Sequence, residues 1–350
     1  MPENQDKKTK KHKYLFAAVY SLLLAAFTAY VMLDTFVLAR VENADATEQN
    51  TSMFDDIEIK KLSGADDSST QADTEVTQSR TKHSRHSQTD DTSSEKDTTG
   101  SSLQNAGSAG DIGSYSDENI SLTITKYNEN DTSIYVADVY LSTAQYLKTA
   151  FANGSYGKNV KATTSDTAED VGAIFAVNGD FYGAREKGYV IRNGIAYRDT
   201  AAGDDEILCI YADGHFDIIS PDEASTDELV SAGVWQAFDF GPALVDSGAV
   251  TVSENEEVGQ AMASNPRTAI GYIDDLHYVF VVSDGRTDES AGLSLYQLAQ
   301  FMQGLGCQCA YNLDGGGSST MYFDGDIINN PTTNGETHER RVSDIVYLGY

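Results

Sequence analysis

Between Tyr14 and Leu33 the chain runs for 20 residues without a charged side chain (YLFAAVYSLLLAAFTAYVML). At about 1.5 Å of rise per helical residue such a run is roughly 30 Å long, the thickness of a bilayer core. It divides the chain into a basic tail over 1–13, a membrane-crossing helix over 14–39, and an exported remainder. Lys7, Lys8, Lys10, Lys11 and Lys13 precede the run, whereas Arg40 alone follows it closely. That asymmetry places the N-terminus in the cytoplasm and the C-terminal part outside the cell membrane. The alternative is a cleavable signal peptide with Ala44, Asp45 and Ala46 at the cleavage site. Such a peptide has an apolar region of only about 7 to 15 residues, so an uncleaved single-pass signal-anchor is the preferred reading.

From residue 40 to 113 the chain is rich in Ser, Thr, Asp, Gln and Gly, and Phe54 is its only aromatic residue. It shows no sustained hydrophobic period. A segment of this composition cannot bury enough apolar surface to offset its ordering entropy, which predicts a disordered spacer. As a flexible coil it would reach roughly 50 Å and hold a domain clear of the membrane.

The folded part is therefore expected at 114–350. It carries 36 acidic residues against 12 basic ones, a balance that repels nucleic acid at long range and argues against nonspecific DNA or RNA binding. An anionic substrate would need a few deliberately placed arginines. Cys209, Cys307 and Cys309 all lie here. One disulfide from Cys209 to either of the others, or three buried free thiols, are both compatible with export.

Two segments carry helix signatures. Ser142 with Gln145 has the capping-box spacing ahead of Leu147, Ala150 and Phe151; Ser294 with Gln297 repeats it ahead of Leu295, Leu298, Met302 and Leu305. A shorter helix is expected near Asp222 to Ala232. The remainder reads as strands: SLTITKY, SIYVADVYL, AIFAVN, EILCIYADGHFDII, RTAIGYI, HYVFVV, CAYNL and DIVYLGY. Asn193-Gly194, Asp213-Gly214 and Asp324-Gly325 sit where two-residue hairpin turns belong. The expected class is α+β, with a mixed or antiparallel sheet core and few helices.

The chemistry-bearing motifs follow strands: AIFAV runs into NGDFYG, HYVFVV into SDGR, and CAYNL into DGGGSS. Loops at one sheet edge can converge on a single site. The last loop, LDGGGSST, has no lysine for a P-loop and runs into TMYF, a strand, where a dinucleotide fingerprint opens a helix. A serine nucleophile at Ser318 or Ser319 needs a base, and the domain has only His215, His277 and His338 and no G-x-S-x-G elbow. What the loop supports is anion or sugar recognition, with glycines turning backbone N–H groups inward and Ser318, Ser319 and Thr320 adding donors. A glycine-rich hairpin with a solvated Asp314 is the plainer alternative. Arg267, Arg286, Arg340 and Arg341 stand in punctuated loops, and arginine offers a planar fork that holds phosphate through two bonds. Surface ion pairing is the plainer alternative for each.

NGDFYG (178–183), NPRTAIG (265–271), SDGR (283–286), NLDGGGSSTM (312–321) and ERRVSD (339–344) together resemble, in this order, the phosphodiester glycosidase family. The resemblance covers roughly Asn119 to Tyr350. It implies hydrolysis of a sugar joined through its anomeric carbon to a phosphodiester. By motif match it points to Asp180, Asp284 and Asp314 as catalytic carboxylates. Asn178, Arg267, Arg286, Gly315, Gly316, Gly317, Ser318, Ser319 and Arg340 would bind substrate or phosphate. Family members usually have a proline after the arginine of the last motif, where this chain has Arg341.

The expected activity is hydrolysis of sugar-1-phosphodiesters in cell-envelope or exopolysaccharide glycans, the partner being a phosphoglycan or sugar phosphate. Because phosphate leaves readily as an anion, groups that take up its charge matter more than a strong general acid. No cofactor is required, although an oxygen-only calcium site leaves few traces in a sequence. The alternatives are a glycan-binding or assembly module without turnover and a metal-dependent phosphodiesterase cleaving the P–O bond.

Overall fold

The computed structural model describes residues 3–60, 62, 107–203, 206–254 and 264–350. The middle of the expected spacer, 63–106, lies outside the described residues.

Among the described residues the domain has three large antiparallel sheets and two two-stranded ones, and every strand pairing is antiparallel. The largest has eight strands. At its centre Arg267–Asp274 lies between His277–Ser283 and Cys309–Asn312, and Thr132–Leu141, Ile120–Glu129 and Gly107–Ser116 extend one side. A second sheet of five contains Ile207–Tyr211, Val234–Phe238 and Val190–Arg192. The third, also of five, is ordered Asp326–Ile327, Met321–Phe323, Phe175–Asn178, Asp344–Leu348, Leu147–Phe151.

Why HYVFVV reads as an unbroken apolar run follows from the layers. Successive strand side chains point to opposite faces, and both faces are covered here. Tyr278, Phe280 and Val282 enter the core shared with the other sheets, beside Phe175, Trp235 and Tyr311. Val279 and Val281 point the other way, onto Leu295, Leu298 and Met302 of a helix. That helix, Leu295–Gly304, has the expected capping box: Gln297 N–H donates to Ser294 Oγ at 3.1 Å and Ser294 N–H to Gln297 Oε1 at 2.9 Å. The shorter expected helix is present at Thr226–Ser231, and the three dipeptides form the turns between paired strands. A further helix, Thr164–Asp170, capped by Thr163, is one the sequence reading did not anticipate.

Two expectations are corrected. The segment after Ser142 is not a helix but a 3-10 turn, Ala144–Tyr146, followed by the strand Leu147–Phe151. Ser142 Oγ donates to Asn119 Oδ1 at 2.8 Å, and Thr143 caps the turn in its place. Each residue from Leu147 to Phe151 pairs with one of Asp344–Leu348, and that tertiary ladder outweighs a local cap signal.

The second correction concerns the start of the spacer. Arg40–Asn43 forms a strand paired with Tyr156–Lys158. Ala46 N–H donates to Gly154 O and Asn50 N–H to Asn193 O, both at 2.9 Å. Phe54 packs edge-on against Trp235 with ring centroids 4.9 Å apart, and Lys60 N–H donates to Ser142 O at 2.9 Å. At the far end Gly107–Ser116 is a strand paired with Ile120–Glu129, so paired structure is present ahead of the expected boundary at 114. The helix Glu3–Phe36 contains Tyr14–Phe36, long and apolar enough to cross a membrane or to serve as a signal sequence. Asn159 Nδ2 donates to the carbonyls of Thr35 and Leu38 at 3.2 Å each, joining the end of this helix to the domain.

The three cysteines are free and buried. Burial pushes all three thiols up, Cys309 to about 12, so none is a ready thiolate. A thiol reagent at neutral pH is expected to label the folded protein negligibly and to count three thiols in denaturant. Fewer than three after unfolding, or rapid labelling of the native chain, would contradict this arrangement.

Candidate functional site

The strand registers explain why distant motifs meet. Arg267, first in its strand, pairs with Ser283, last in the neighbouring one. On its other side Ala269 pairs with Asn312, so the loops after residues 283 and 312 leave the sheet at the same edge as Arg267. Asn178 ends a strand of the third sheet and ties the two sheets together. Its Nδ2 donates to the Asp314 carbonyl at 2.6 Å, and its Oδ1 accepts from Thr268 Oγ1 at 2.8 Å.

At this edge lies a cleft of about 450 Å³ lined by Phe181, Arg185, Phe240, Gly241, Asn265, Arg267, Arg286, Leu295, Asn312, Asp314, Gly315, Gly316 and Arg340. Four arginines face one carboxylate, in a domain where acids outnumber bases three to one. Of the expected residues, Arg267, Arg286, Asp314, Gly315, Gly316 and Arg340 are brought together here.

The Asp314 side chain is only 11% exposed. Its Oδ2 accepts from Ser318 Oγ at 2.6 Å and from Arg340 Nη2 at 2.9 Å. Burial raises its carboxyl above the usual aspartate range, partly offset by Arg340 and Ser318. Arg340 Nε also donates to Ser318 Oγ at 2.9 Å, which settles the arginine pair in the last motif: Arg340 turns inward, whereas Arg341 is exposed.

Arg267 is buried and donates from Nε to Leu293 O at 3.0 Å. Burial, then the neighbouring charge of Arg286, lowers its guanidinium to about 10, which still leaves it a cation at neutral pH. Arg286 donates from Nε and Nη2 to Asn265 Oδ1 at 3.0 and 2.8 Å. It does so from a left-handed backbone, φ 62°, a conformation a non-glycine residue adopts at some cost and often where position matters.

The glycine loop behaves differently from the expected cradle of inward N–H groups. Gly316, Ser318 and Ser319 spend their N–H groups on Pro266 O, Gly315 O and Gly316 O. The glycines are needed for close approach. Gly316 takes φ 64°, and a Cβ there would stand 3.0 Å from Arg286 Nη2; at Gly315 it would stand 2.9 Å from Pro266 O. Gly317, Ser318 and Ser319 are buried behind the cleft wall, and among the described residues Ser318 and Ser319 have no histidine partner.

Two other expected carboxylates lie outside the cleft lining. Asp180 is buried with Oδ2 2.9 Å from Arg192 Nη2, and its Oδ1 accepts from Tyr182 N–H at 3.0 Å. Arg192, itself 1% exposed, also donates from Nε to Asp344 Oδ2 at 2.8 Å. Asp284 accepts from Tyr135 Oη, Asn329 Nδ2, and both the N–H and Nδ2 of Asn330, at 2.8–3.2 Å. It holds the Asn329–Asn330 loop against the sheet. Among the described residues no group of three or more His, Cys, Asp or Glu side chains is placed to hold a metal ion.

Sequence reasoning passed over Arg185, Phe181, Phe240, Asn265 and Asn312 as lining residues. Asn265, Asn312 and Phe181 lay inside motifs already singled out, and Arg185 stands two residues after the end of one. Phe240 had no local signal. Arg185 lies over the Phe240 ring, 5.2 Å from its centroid.

A family model described as phosphodiester glycosidase matches residues 171–348, a span that holds the whole cleft lining. An uncharacterized SPbeta prophage-derived protein of Bacillus subtilis, YomE, is 30% identical over 202 residues, 56% of this chain and 31% of that protein. The N-acetylglucosamine-1-phosphodiester alpha-N-acetylglucosaminidase of Mus musculus is 27% identical over 207 residues, 55% of this chain and 40% of that enzyme. The chain thus spans less than half the length of these relatives. Among solved structures, the catalytic domain of the zebrafish enzyme of that name, auto-inhibited by its pro-peptide, superposes with a TM-score of 0.55 at 18% identity. The match covers 69% of this chain and 88% of that one, a likeness of fold.

Proposed function

Because the chain belongs to the phosphodiester glycosidase family, we propose that its domain hydrolyses the bond between a sugar's anomeric carbon and a phosphodiester, releasing free sugar and a phosphomonoester. The observation that carries this reading is the cleft's charge pattern: Arg185, Arg267, Arg286 and Arg340 around Asp314. In the proposed reaction water attacks the anomeric carbon and passes a proton to Asp314, while the carbon–oxygen bond breaks and its electron pair leaves with phosphate. A carboxyl raised by burial is a better base than an ordinary aspartate. The arginines take up the charge on the departing phosphate, and Phe181 and Phe240 supply flat apolar surface for the sugar. Asp180 and Asp284 serve as positioning residues, the first anchored on Arg192, the second holding the loop after Asn329.

The mouse relative's name specifies N-acetylglucosamine-1-phosphodiester, which makes that compound the natural first probe. The apolar helix Tyr14–Phe36 supports anchorage in a cell membrane with the domain outside, acting on cell-envelope or exopolysaccharide phosphoglycans. Hydrolysis in oxygen-18 water tests the chemistry: label is expected in the released sugar. Label in the phosphate would mean P–O cleavage and overturn the mechanism, and saturable binding without turnover would make the domain a phosphoglycan-binding module.

A further inference from the structure

The turn from Phe181 to Arg185 is a partition with a cavity on each side. Phe181 faces the cleft, Tyr182 and Gly183 line a second cavity of about 320 Å³, and Arg185 lines both. Arg198 stiffens the partition, donating from Nη1 to the carbonyls of Tyr182 and Arg185 at 3.1 and 2.8 Å.

The second cavity has the cleft's chemistry. Arg40, Lys158, Arg185 and Arg198 line it against Glu42 and Glu186, four cations to two carboxylates in the wall of a strongly acidic domain, with Arg40 also paired to Asp34 behind it. Lys158 Nζ lies 2.6 Å from Glu186, whose side chain is 78% exposed. The lysine side chain is only 12% exposed, so its cation is held in the cavity wall while the carboxylate opposite it stands in water, and an incoming anion can take the carboxylate's place. Tyr156 stacks on Tyr182 with centroids 5.3 Å apart, and Tyr197 leans on Tyr156, giving aromatic surface beside the cations. Arg40, Tyr156 and Lys158 all lie outside the family-matched span of 171–348, and Arg40 is in place only because its strand docks on Tyr156–Lys158.

We propose that this cavity is a subsite for the next phosphate along the substrate, on the far side of the partition from the scissile bond. The substrate is then a chain of sugar-phosphate repeats rather than a single capped sugar. This rests on the hydrolase reading of the cleft. Arg185 is the shared contact, reaching the phosphate in the cleft from one side and the following repeat from the other.

Binding to the full chain carrying Asp314→Asn tests it, with two probes: a one-unit N-acetylglucosamine 1-phosphodiester and its two-unit oligomer. The oligomer is expected to bind about tenfold tighter, the worth of one added charge-assisted contact. Lys158→Glu should bring the ratio of affinities to about one, and Lys158→Arg should keep it. Equal affinities for the two probes, or a ratio that Lys158→Glu leaves unmoved with the thermal transition unchanged, overturn the subsite. Hydrolysis of the one-unit probe by the wild-type chain separates the two proposals. Turnover with a ratio of one leaves the hydrolase standing without the subsite, and a preserved ratio without turnover leaves the subsite without the hydrolase.

Discussion

Replacing Asp314 with asparagine is expected to lower release of free sugar from a sugar-1-phosphodiester by roughly 10³-fold, the range of a lost general base, while the domain stays folded. The two halves of this expectation have one cause. Burial holds the Asp314 carboxyl above its ordinary range, so the folded state binds its proton more tightly than the unfolded chain does. The stability this group contributes is complete below the unfolded value near 4 and is lost as pH rises through the raised folded value. At neutral pH the buried charge therefore costs stability, and a neutral amide removes that cost. Arg340, which loses its ionic partner, has a side chain 41% exposed and can turn to water. Turnover should collapse while the Tm at pH 7 holds or rises. Activity within tenfold of wild type would remove Asp314 from the chemistry, and a large fall in Tm would make it structural.

Arg192→Met is expected to do the reverse, damaging the fold before any chemistry. Arg192 lies between Asp180 and Asp344 in the interior, with Asp344 Oδ2 at 2.8 Å, Asp180 Oδ2 at 2.9 Å and the Phe238 ring centroid at 4.3 Å. Its Nη1 also donates to the carbonyls of Ile191 and Ala237. Removing one member of such a cluster strands the others as buried charges, at about 3–5 kcal/mol. In a domain of this size that is a fall in Tm of roughly 10 °C or more. The loss should depend on pH. Burial, with Asp180 pushing the same way and Arg192 opposing, holds the Asp344 carboxyl at about 7. Its contribution to stability is complete near pH 4 and is lost as pH rises through about 7. Without the arginine the Asp344 carboxyl loses the charge that opposes its protonation, so the deficit against wild type should be larger at pH 8 than at pH 5. Thermal unfolding at the two values measures it; a shift under about 2 °C, or one independent of pH, would show that the triad carries little weight.

How legible the site was in the sequence varies by residue. Arg267, Arg286, Asp314 and Arg340 were visible because arginines beside turn residues, and an acid ahead of three glycines, are unusual in a chain this acidic, and the structure brings them to one cleft. Their order along the chain carried the family resemblance, and the alternation of HYVFVV and its neighbours carried the sheets. What a motif does not carry is direction. NGDFYG sends Phe181 into the cleft and Asp180 back onto Arg192, and the glycine loop closes on itself. Arg192 itself stands in a short strand before an Asn-Gly turn and is indistinguishable there from a surface arginine; its partner Asp344 is 152 residues away. The failed helix after Ser142 shows the same limit, since a cap is local and the competing strand is not. So does the docked segment of the spacer, where one aromatic residue in a polar stretch, Phe54, finds Trp235.

Lys60 is held by the Ser142 carbonyl and Gly107 by its pairing with the strand Ile120–Glu129, so the stretch between them is a link from the domain to itself and is not what holds the apolar helix to it. A protease that severed it would release nothing at once. The N-terminal fragment would stay bound as a separate peptide, through the strand Arg40–Asn43, the Phe54 ring and the hydrogen bonds of Asn50 and Asn159. The domain's hold on the apolar helix is in that sense twofold, covalent and by shape, and cutting the covalent link turns one chain into a two-chain complex with the same wall around its second cavity.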